Sequence, residues 1–159
     1  MHAEELAIID VTARDGTVTS TAWLTAAEPL HRELRPQLPA DYGGTMARVF
    51  RNGARLMVAA QGDTPVGLAV WRVLENTMFG RFLYVDDLIT DTKLRSRGVG
   101  KALLSRCEAI AVELGCRELV LDSGVQRAQT HRFYFREGLV VRAFNFGKPV
   151  PGAPTDSRS

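Results

Sequence analysis

The sequence predicts one α/β domain with its elements in the order β-α-α-β-β-β-α-β-α-β, on three observations. Apolar runs of strand length alternate with stretches whose apolar residues recur at helical spacing. A chain of 159 residues, 45% of them hydrophobic, can fill one core well but not two. A glycine-rich turn, Arg95-Ser96-Arg97-Gly98-Val99-Gly100-Lys101, joins an apolar strand to a long amphipathic helix.

Leu6 to Val11 suits a first strand, followed by an Asp15-Gly16 turn. Thr19 or Ser20 can cap a helix in which Trp23, Ala27, Leu30, Leu34 and Leu38 share a face. Pro29 marks a kink or boundary within it, and Pro36 and Pro39 stop it. Asp41 to Arg51 reads as a short second helix with Met46, Val49 and Phe50 inward. Arg55 to Ala60 and Val66 to Leu74 form a hairpin about Gln61-Gly62-Asp63-Thr64-Pro65. Phe82 to Thr90 is a strand long enough to be central. The helix after the glycine turn aligns Val99, Leu103, Cys107, Ile110, Ala111 and Leu114 and ends at Gly115. Glu118 to Asp122 then reads as a strand, Gln126 to Glu137 as a helix and Val140 to Phe146 as the last strand. The domain is expected over residues 1–147, with 148–159, rich in Pro, Gly and Ser, as a flexible tail.

A net charge of +2 with no Lys/Arg run argues against a nucleic-acid partner. The acidic start Met1-His2-Ala3-Glu4-Glu5 is unlike a signal peptide, and no apolar run nears the ~20 residues of a membrane span, so a cytoplasmic protein without a membrane partner is expected. Cys107 and Cys116 fit no metal or redox spacing and read as reduced, buried small hydrophobes; no metal is expected.

The glycine turn reads as a diphosphate cradle. Its glycines let backbone approach a ligand, and the free N–H groups and positive dipole of the first helical turn face an anion. Arg95, Arg97 and Lys101 add mobile positive charge. It is not a nucleoside-triphosphate loop, which needs glycine at Arg95 and Ser or Thr at Ala102, nor a dinucleotide fingerprint, which needs glycine at Leu103. Arg95-x-x-Gly98-x-Gly100 instead resembles the acyl-CoA signature of the GCN5-related N-acetyltransferases, Gln/Arg-x-x-Gly-x-Gly/Ala. A second stretch, Arg127 to Leu139, resembles that family's last helix, Asn-x-x-Ala-x-x-Leu-Tyr-x-x-x-Gly-Phe, with Tyr134 and Gly138 at the family spacing. It departs at Arg127, where the family usually has Asn, and at Leu139, where it has Phe. The likeness in element order covers roughly residues 5–147.

The resemblance implies a central mixed, mostly antiparallel sheet with helices on both faces, and acetyl-CoA as the acyl donor. Arg95, Ser96, Arg97, Gly98, Val99, Gly100 and Lys101 would hold its pyrophosphate, Leu88, Ile89 and Thr90 would pair with its pantetheine arm as an added strand would, and Arg127 stands where a cofactor contact is expected. A backbone N–H on that strand would polarise the thioester oxygen. Tyr134 is the implied proton donor to the leaving thiolate, since a phenol near ~10 and a thiol near ~8.5 exchange a proton readily. His131 shares its helical face and reads first as structural.

Asp86 and Asp87 are the candidates for taking a proton from the acceptor, because an alkylamine of pKa ~10.4 arrives charged. Strand alternation would put them on opposite faces, with Asp86 beside Leu88 and Thr90. The pair resembles the Glu-Asp-Leu/Phe-x-Val pattern of polyamine-type acetyltransferases, where the first carboxylate is the base candidate. The alternative is that the aspartates cap loops or attract a cation. Trp23, His31, Arg32, Arg35, Tyr42, Trp71, Arg72 and Phe79 are available to an acceptor site; the arginines suit an acidic acceptor, the aspartates a cationic one.

The function expected is acetyl transfer to a primary amine of a small molecule by direct attack in a ternary complex. Acetylation of protein or peptide amines, or a non-catalytic acyl-CoA-binding regulatory module, are the alternatives, and a homodimer is compatible with the family's habits. A toxin acting on charged tRNA is disfavoured by the absence of a basic run.

Overall fold

The computed structural model describes residues 5–94 and 97–154, which divide between two compact units, Met1–Val120 and Leu121–Ser159. The first unit holds the sheet. Its elements are β1 (Leu6–Asp10), α1 (Thr21–Leu34), α2 (Tyr42–Arg51), β2 (Arg55–Gln61), β3 (Thr64–Asn76), β4 (Gly80–Thr90), a 3-10 turn (Thr92–Leu94), α3 (Val99–Glu113) and β5 (Glu118–Leu121), whose last residue opens the second unit. The strands lie in the order β1-β2-β3-β4-β5, and the first three pairings are antiparallel. β4 reaches β5 through the α3 crossover, and both strands start at the same end, where the Arg117 amide donates to the Arg81 carbonyl at 2.8 Å. That is a parallel pairing, so the sheet is mixed.

Local chemistry accounts for the boundaries. The Ser20 hydroxyl accepts from the Trp23 amide and Asp41 from the Gly44 amide, capping α1 and α2. α1 continues through Pro29 rather than stopping there, and it ends at Leu34, so Leu38 falls in the loop beyond. Arg32 ties that loop back by donating to the carbonyls of Leu38 and Pro39. β2 and β3 run further into their turn than the sequence implies, leaving Gly62-Asp63 between them. Asn76 Oδ1 accepts from the amides of Met78 and Phe79, a side-chain turn that joins β3 to a β4 longer than expected.

The two faces of the sheet are covered separately. Leu56, Val58, Ala60, Leu68 and Val70 point at Leu24, Ala27 and Leu30 of α1 and Tyr42, Met46 and Phe50 of α2. α3 lies on the other face, its apolar side (Val99, Leu103, Leu104, Cys107, Ile110, Ala111) buried. Gly67 of β3 makes that approach possible: a Cβ there would sit 2.7 Å from Val99 Cγ1, 3.0 Å from Leu103 Cδ1 and 3.1 Å from the Ile89 carbonyl oxygen.

The second unit carries α4 (Ala128–Arg136). The strand expected over Val140 to Phe146 does not form; the segment is irregular, and Val140, Val141, Phe144 and Phe146 are exposed. Apolar β-branched and aromatic residues make a strand only against a partner, and among the described residues none pairs with this one. Asn145 Nδ2 donates to Asp122 at 2.7 Å and fastens the segment instead. Among the described residues the order thus lacks its final β, while the α/β class with helices on both sheet faces stands.

Candidate active site

The register of β3 against β4 slips by one residue in the middle of the sheet. Val70 pairs with Asp87 but Trp71 pairs with Val85, leaving Asp86 as an extra residue. This is a β-bulge, and it cancels the alternation on which the sequence reading of the two aspartates rests. Leu88 and Thr90 pair with Ala69 and Gly67, on the α3 face. Asp86 does not share that face. Its carboxylate is gripped by Arg72, through Nε at 2.9 and 3.1 Å and Nη2 at 2.5 Å, and Arg72 also donates to the Asn52 carbonyl at the end of α2. Asp87 turns to α1, accepting from His31 Nε2 at 2.8 Å and from Arg35 Nε at 2.6 Å. Both carboxylates therefore stand on the α1/α2 side.

Their environments push them apart. Burial raises the pKa of Asp86 above the ordinary carboxylate value, and the hydrogen bonds and charge of Arg72 only partly oppose it. Burial acts on Asp87 in the same sense, but the His31 hydrogen bond and the Arg35 charge outweigh it, so its pKa is lowered. Behind Asp87, His31 Nδ1 bonds the Tyr42 hydroxyl at 3.0 Å, the two rings meeting edge to face. Burial pushes the Tyr42 phenol far up, so it stays protonated.

Of the other acceptor-site candidates, Arg32 is committed to Glu28 and two carbonyls. Trp71 lies on the α3 face of β3 with the Arg14 guanidinium 5.4 Å from its ring centre, away from the aspartates.

Beyond the bulge, Leu88, Ile89 and Thr90 finish β4; Ile89 packs into the α1/α2 core. β5 has four residues against eleven in β4 and starts at the Arg81 end, so among the described residues no strand flanks the outer edge of Leu88–Thr90. The 3-10 turn, held by the Asp91 carboxylate accepting from the Lys93 amide, leads to the cradle. Arg95 and Ser96 lie outside the described residues. Arg97, Gly98, Val99, Gly100 and Lys101 form the start of α3, with Gly98 left-handed at φ +81° in the N-cap position and no side chain capping it among the described residues. The amides of Val99, Gly100 and Lys101 precede the first intrahelical bond, Ala102 N–H to Gly98 O at 2.9 Å. A Cβ at Gly98 would meet nothing within 4 Å among the described residues. The residues present fit an anionic ligand such as a pyrophosphate.

In the second unit, Arg127 occupies the N-cap position of α4 and Tyr134 lies in its second turn, its ring 5.4 Å from that of Phe133. Burial raises the Tyr134 pKa, with the Arg127 charge partly opposing it, so the hydroxyl is a protonated donor at neutral pH. His131 bonds the Gly124 carbonyl through Nε2 at 2.9 Å, which accounts for it structurally. His31, Tyr42, Arg35 and Arg72 carry nothing in their sequence surroundings that sets them above the other acceptor-site candidates. No local signal could, because their partners lie 11 to 56 residues away.

Known proteins resemble the chain in sequence and in fold. A 72-residue stretch is 39% identical to an uncharacterized N-acetyltransferase, YhdJ, of Bacillus subtilis (strain 168), covering 45% of this chain and about half (51%) of that protein. Over 133 residues the chain is 24% identical to the aminoalkylphosphonate N-acetyltransferase of Salmonella typhimurium (strain LT2), covering 83% and 85% of the two chains. The fold is similar to that of the aminoglycoside acetyltransferase AAC(6')-Iy, solved in complex with the bisubstrate analog CoA-S-monomethyl-acetylneamine, at a TM-score of 0.77, 16% identity and coverage of 92% and 99%. No helix among the described residues is long and apolar enough to cross a membrane. The model of the Acetyltransferase (GNAT) family, whose members use acetyl-CoA, matches residues 20–138, and the chain belongs to that family.

Proposed function

We propose that the protein is an acetyl-CoA-dependent N-acetyltransferase that acetylates a primary amine of a small molecule by direct attack in a ternary complex. The observation that carries the reading is the bulge in β4, which sets two carboxylates of divergent basicity just upstream of a strand edge and an anion cradle. Gly98, Val99, Gly100 and Lys101 would receive the pyrophosphate and the Leu88–Thr90 edge the pantetheine amides. Asp86, the more basic carboxylate, takes a proton from the arriving ammonium, while Asp87 stays ionised as a fixed anion. The freed amine attacks the thioester carbonyl, the C–N bond forms and the C–S bond breaks. Tyr134 protonates the departing thiolate and recovers its proton from the acylated nitrogen, leaving the amide and CoA. Burial pushes the Cys107 thiol up to about 12, which disfavours an acetyl-enzyme on that residue and supports direct attack.

A small-molecule acceptor is supported by the relatives, one named for aminoalkylphosphonates and one solved with an acetylneamine analog. The exposed apolar segment Val140 to Phe146 supports pairing of two copies, and a cytoplasmic setting belongs to the same reading. A panel of small amines, aminoalkylphosphonates and aminoglycosides included, screened for amine-dependent CoA release tests it. Intersecting initial-velocity lines would support the ternary complex, and parallel lines would replace it with an acetyl-enzyme.

A further inference from the structure

We infer that His31, held by Tyr42, is a positioning residue of the acetyl transfer: it fixes Asp87 and, through Asp87 and Arg35, the bulge that presents Asp86. The inference rests on the function proposed above and extends it to residues outside the reacting set.

His31 is 2% exposed on the buried face of α1, whose other buried residues Leu24, Ala27 and Leu30 are apolar. A buried neutral imidazole carries one donor and one acceptor, and each needs a partner. Here both ring nitrogens are engaged by groups from two other elements, the first residue of α2 and the bulged strand β4. Asp87 is ionised and can only accept, so the hydrogen on Nε2 is fixed, and Tyr42 completes the ring through Nδ1. The second Asp87 oxygen is held by Arg35, whose Nη2 continues to the backbone carbonyl of Asp86 at 3.2 Å. One guanidinium thus ties the clamped carboxylate to the main chain of the extra residue. Tyr42, His31, Asp87, Arg35 and the Asp86 backbone form a single line from the buried core to the bulge.

Stability alone does not explain this line, because replacing buried polar groups by apolar residues of similar volume is often neutral or stabilising. Rigid placement of a proton acceptor does, since a displacement of about 1 Å can cost ~100-fold in rate. The charged and titratable groups around the line are Glu28, Arg32 and Arg35 on α1, Arg72 on β3 and Asp86 on β4.

The test uses the full chain with His31→Leu, His31→Gln and Tyr42→Phe, assayed with the best amine of the panel across pH, with acetyl-CoA binding by calorimetry and melting in parallel. His31→Leu should lower kcat/KM for the amine by ~10- to 100-fold near neutral pH, the gap narrowing as pH approaches the amine's own pKa, with acetyl-CoA affinity unchanged. His31→Gln, whose amide N–H can replace the Nε2 donor to Asp87, should recover most of the loss, and Tyr42→Phe should fall between. Ring ¹⁵N signals of His31, assigned by their loss in His31→Gln, should place the hydrogen on Nε2, with the Nδ1 signal moving in Tyr42→Phe. Wild-type kcat/KM in a folded His31→Leu protein, or equal pH-independent losses in the Leu and Gln variants, overturns the inference while the acetyltransferase reading stands. If His31→Leu fails to fold, wild-type kinetics in both His31→Gln and Tyr42→Phe with an unmoved Nδ1 signal overturns it as well. A wild-type protein with no amine-dependent turnover sinks the reading and the positioning role with it, even where the ring signals show the line intact.

Discussion

Placing a methyl group at position 67 should loosen the start of α3, the proposed pyrophosphate site. A Cβ on Gly67 lies 2.7 Å from Val99 Cγ1, against an ordinary carbon contact of ~3.5–4.0 Å, so one side must retreat by about 1 Å. Val99 is stiff and buried, and the third neighbour is backbone, so a rotamer change cannot absorb the clash. Overpacking of this kind costs ~1–3 kcal/mol. Replacing a strand glycine offsets ~0.5–1 kcal/mol of it, leaving a net loss on the order of 1–2 kcal/mol. For a chain of this size that is a fall in Tm of about 2–8 °C. Because Val99 is the first residue of α3, acetyl-CoA affinity should fall as well. Calorimetric melting of Gly67→Ala, Val99→Ala and the double variant, with acetyl-CoA titrations, measures both effects. The two substitutions should couple by more than ~0.5 kcal/mol, since trimming the Val99 side chain makes room for the methyl group added to Gly67. Strict additivity, or an unchanged Tm in Gly67→Ala, would refute the argument that this glycine sets the helix–sheet distance.

Four further outcomes are expected. Gly100→Val should weaken acetyl-CoA binding at least ~tenfold, about 1.4 kcal/mol, with the fold intact, as calorimetry and circular dichroism would show. Tyr134→Phe should lower turnover by ~10²–10⁴-fold with little change in acetyl-CoA affinity. Asp86→Asn should depress kcat/KM steeply near neutral pH and less as pH rises toward the pKa of the amine, and Asp87→Asn should show the same trend more weakly together with a raised acceptor KM; a pH–rate profile with one amine measures both. The lowered pKa of Asp87 contributes stability that is present above its unfolded value of 3.8 and is lost as pH falls through its lower folded value. Asp87→Asn should therefore destabilise at neutral pH by an amount that shrinks on acidification into that window, readable from urea midpoints at several pH values.

Much of the fold was legible because its signals are local. Ser20 and Asp41 cap helices, Gly62-Asp63 turns a hairpin, and the α3 apolar face repeats at helical spacing. The glycine turn that opens α3 was legible for the same reason. The orientation of Asp86 was not, since a one-residue slip in pairing between β3 and β4 leaves no mark in either strand's composition. Nor were the partners of the aspartates, as only the assembled sheet brings His31 and Arg35 to Asp87 and Arg72 to Asp86. Val140 to Phe146 shows the converse: strand-forming residues promise a strand, but pairing decides, and this segment has no neighbour to pair with among the described residues.

The bulge also separates the folding problem from the chemical one. Val85 and Asp87 already face opposite sides of the sheet, as their partners Trp71 and Val70 do. Deleting Asp86 would thus leave a continuous ladder with every remaining residue of β4 on its proper face. Such a chain satisfies all the pairing rules of the sheet and gives up the carboxylate that Arg72 holds and the main-chain carbonyl that Arg35 reaches. A lineage could drop this one codon and keep the sheet and the start of α3, so the proposed base can be lost by a single in-frame deletion without disturbing the fold.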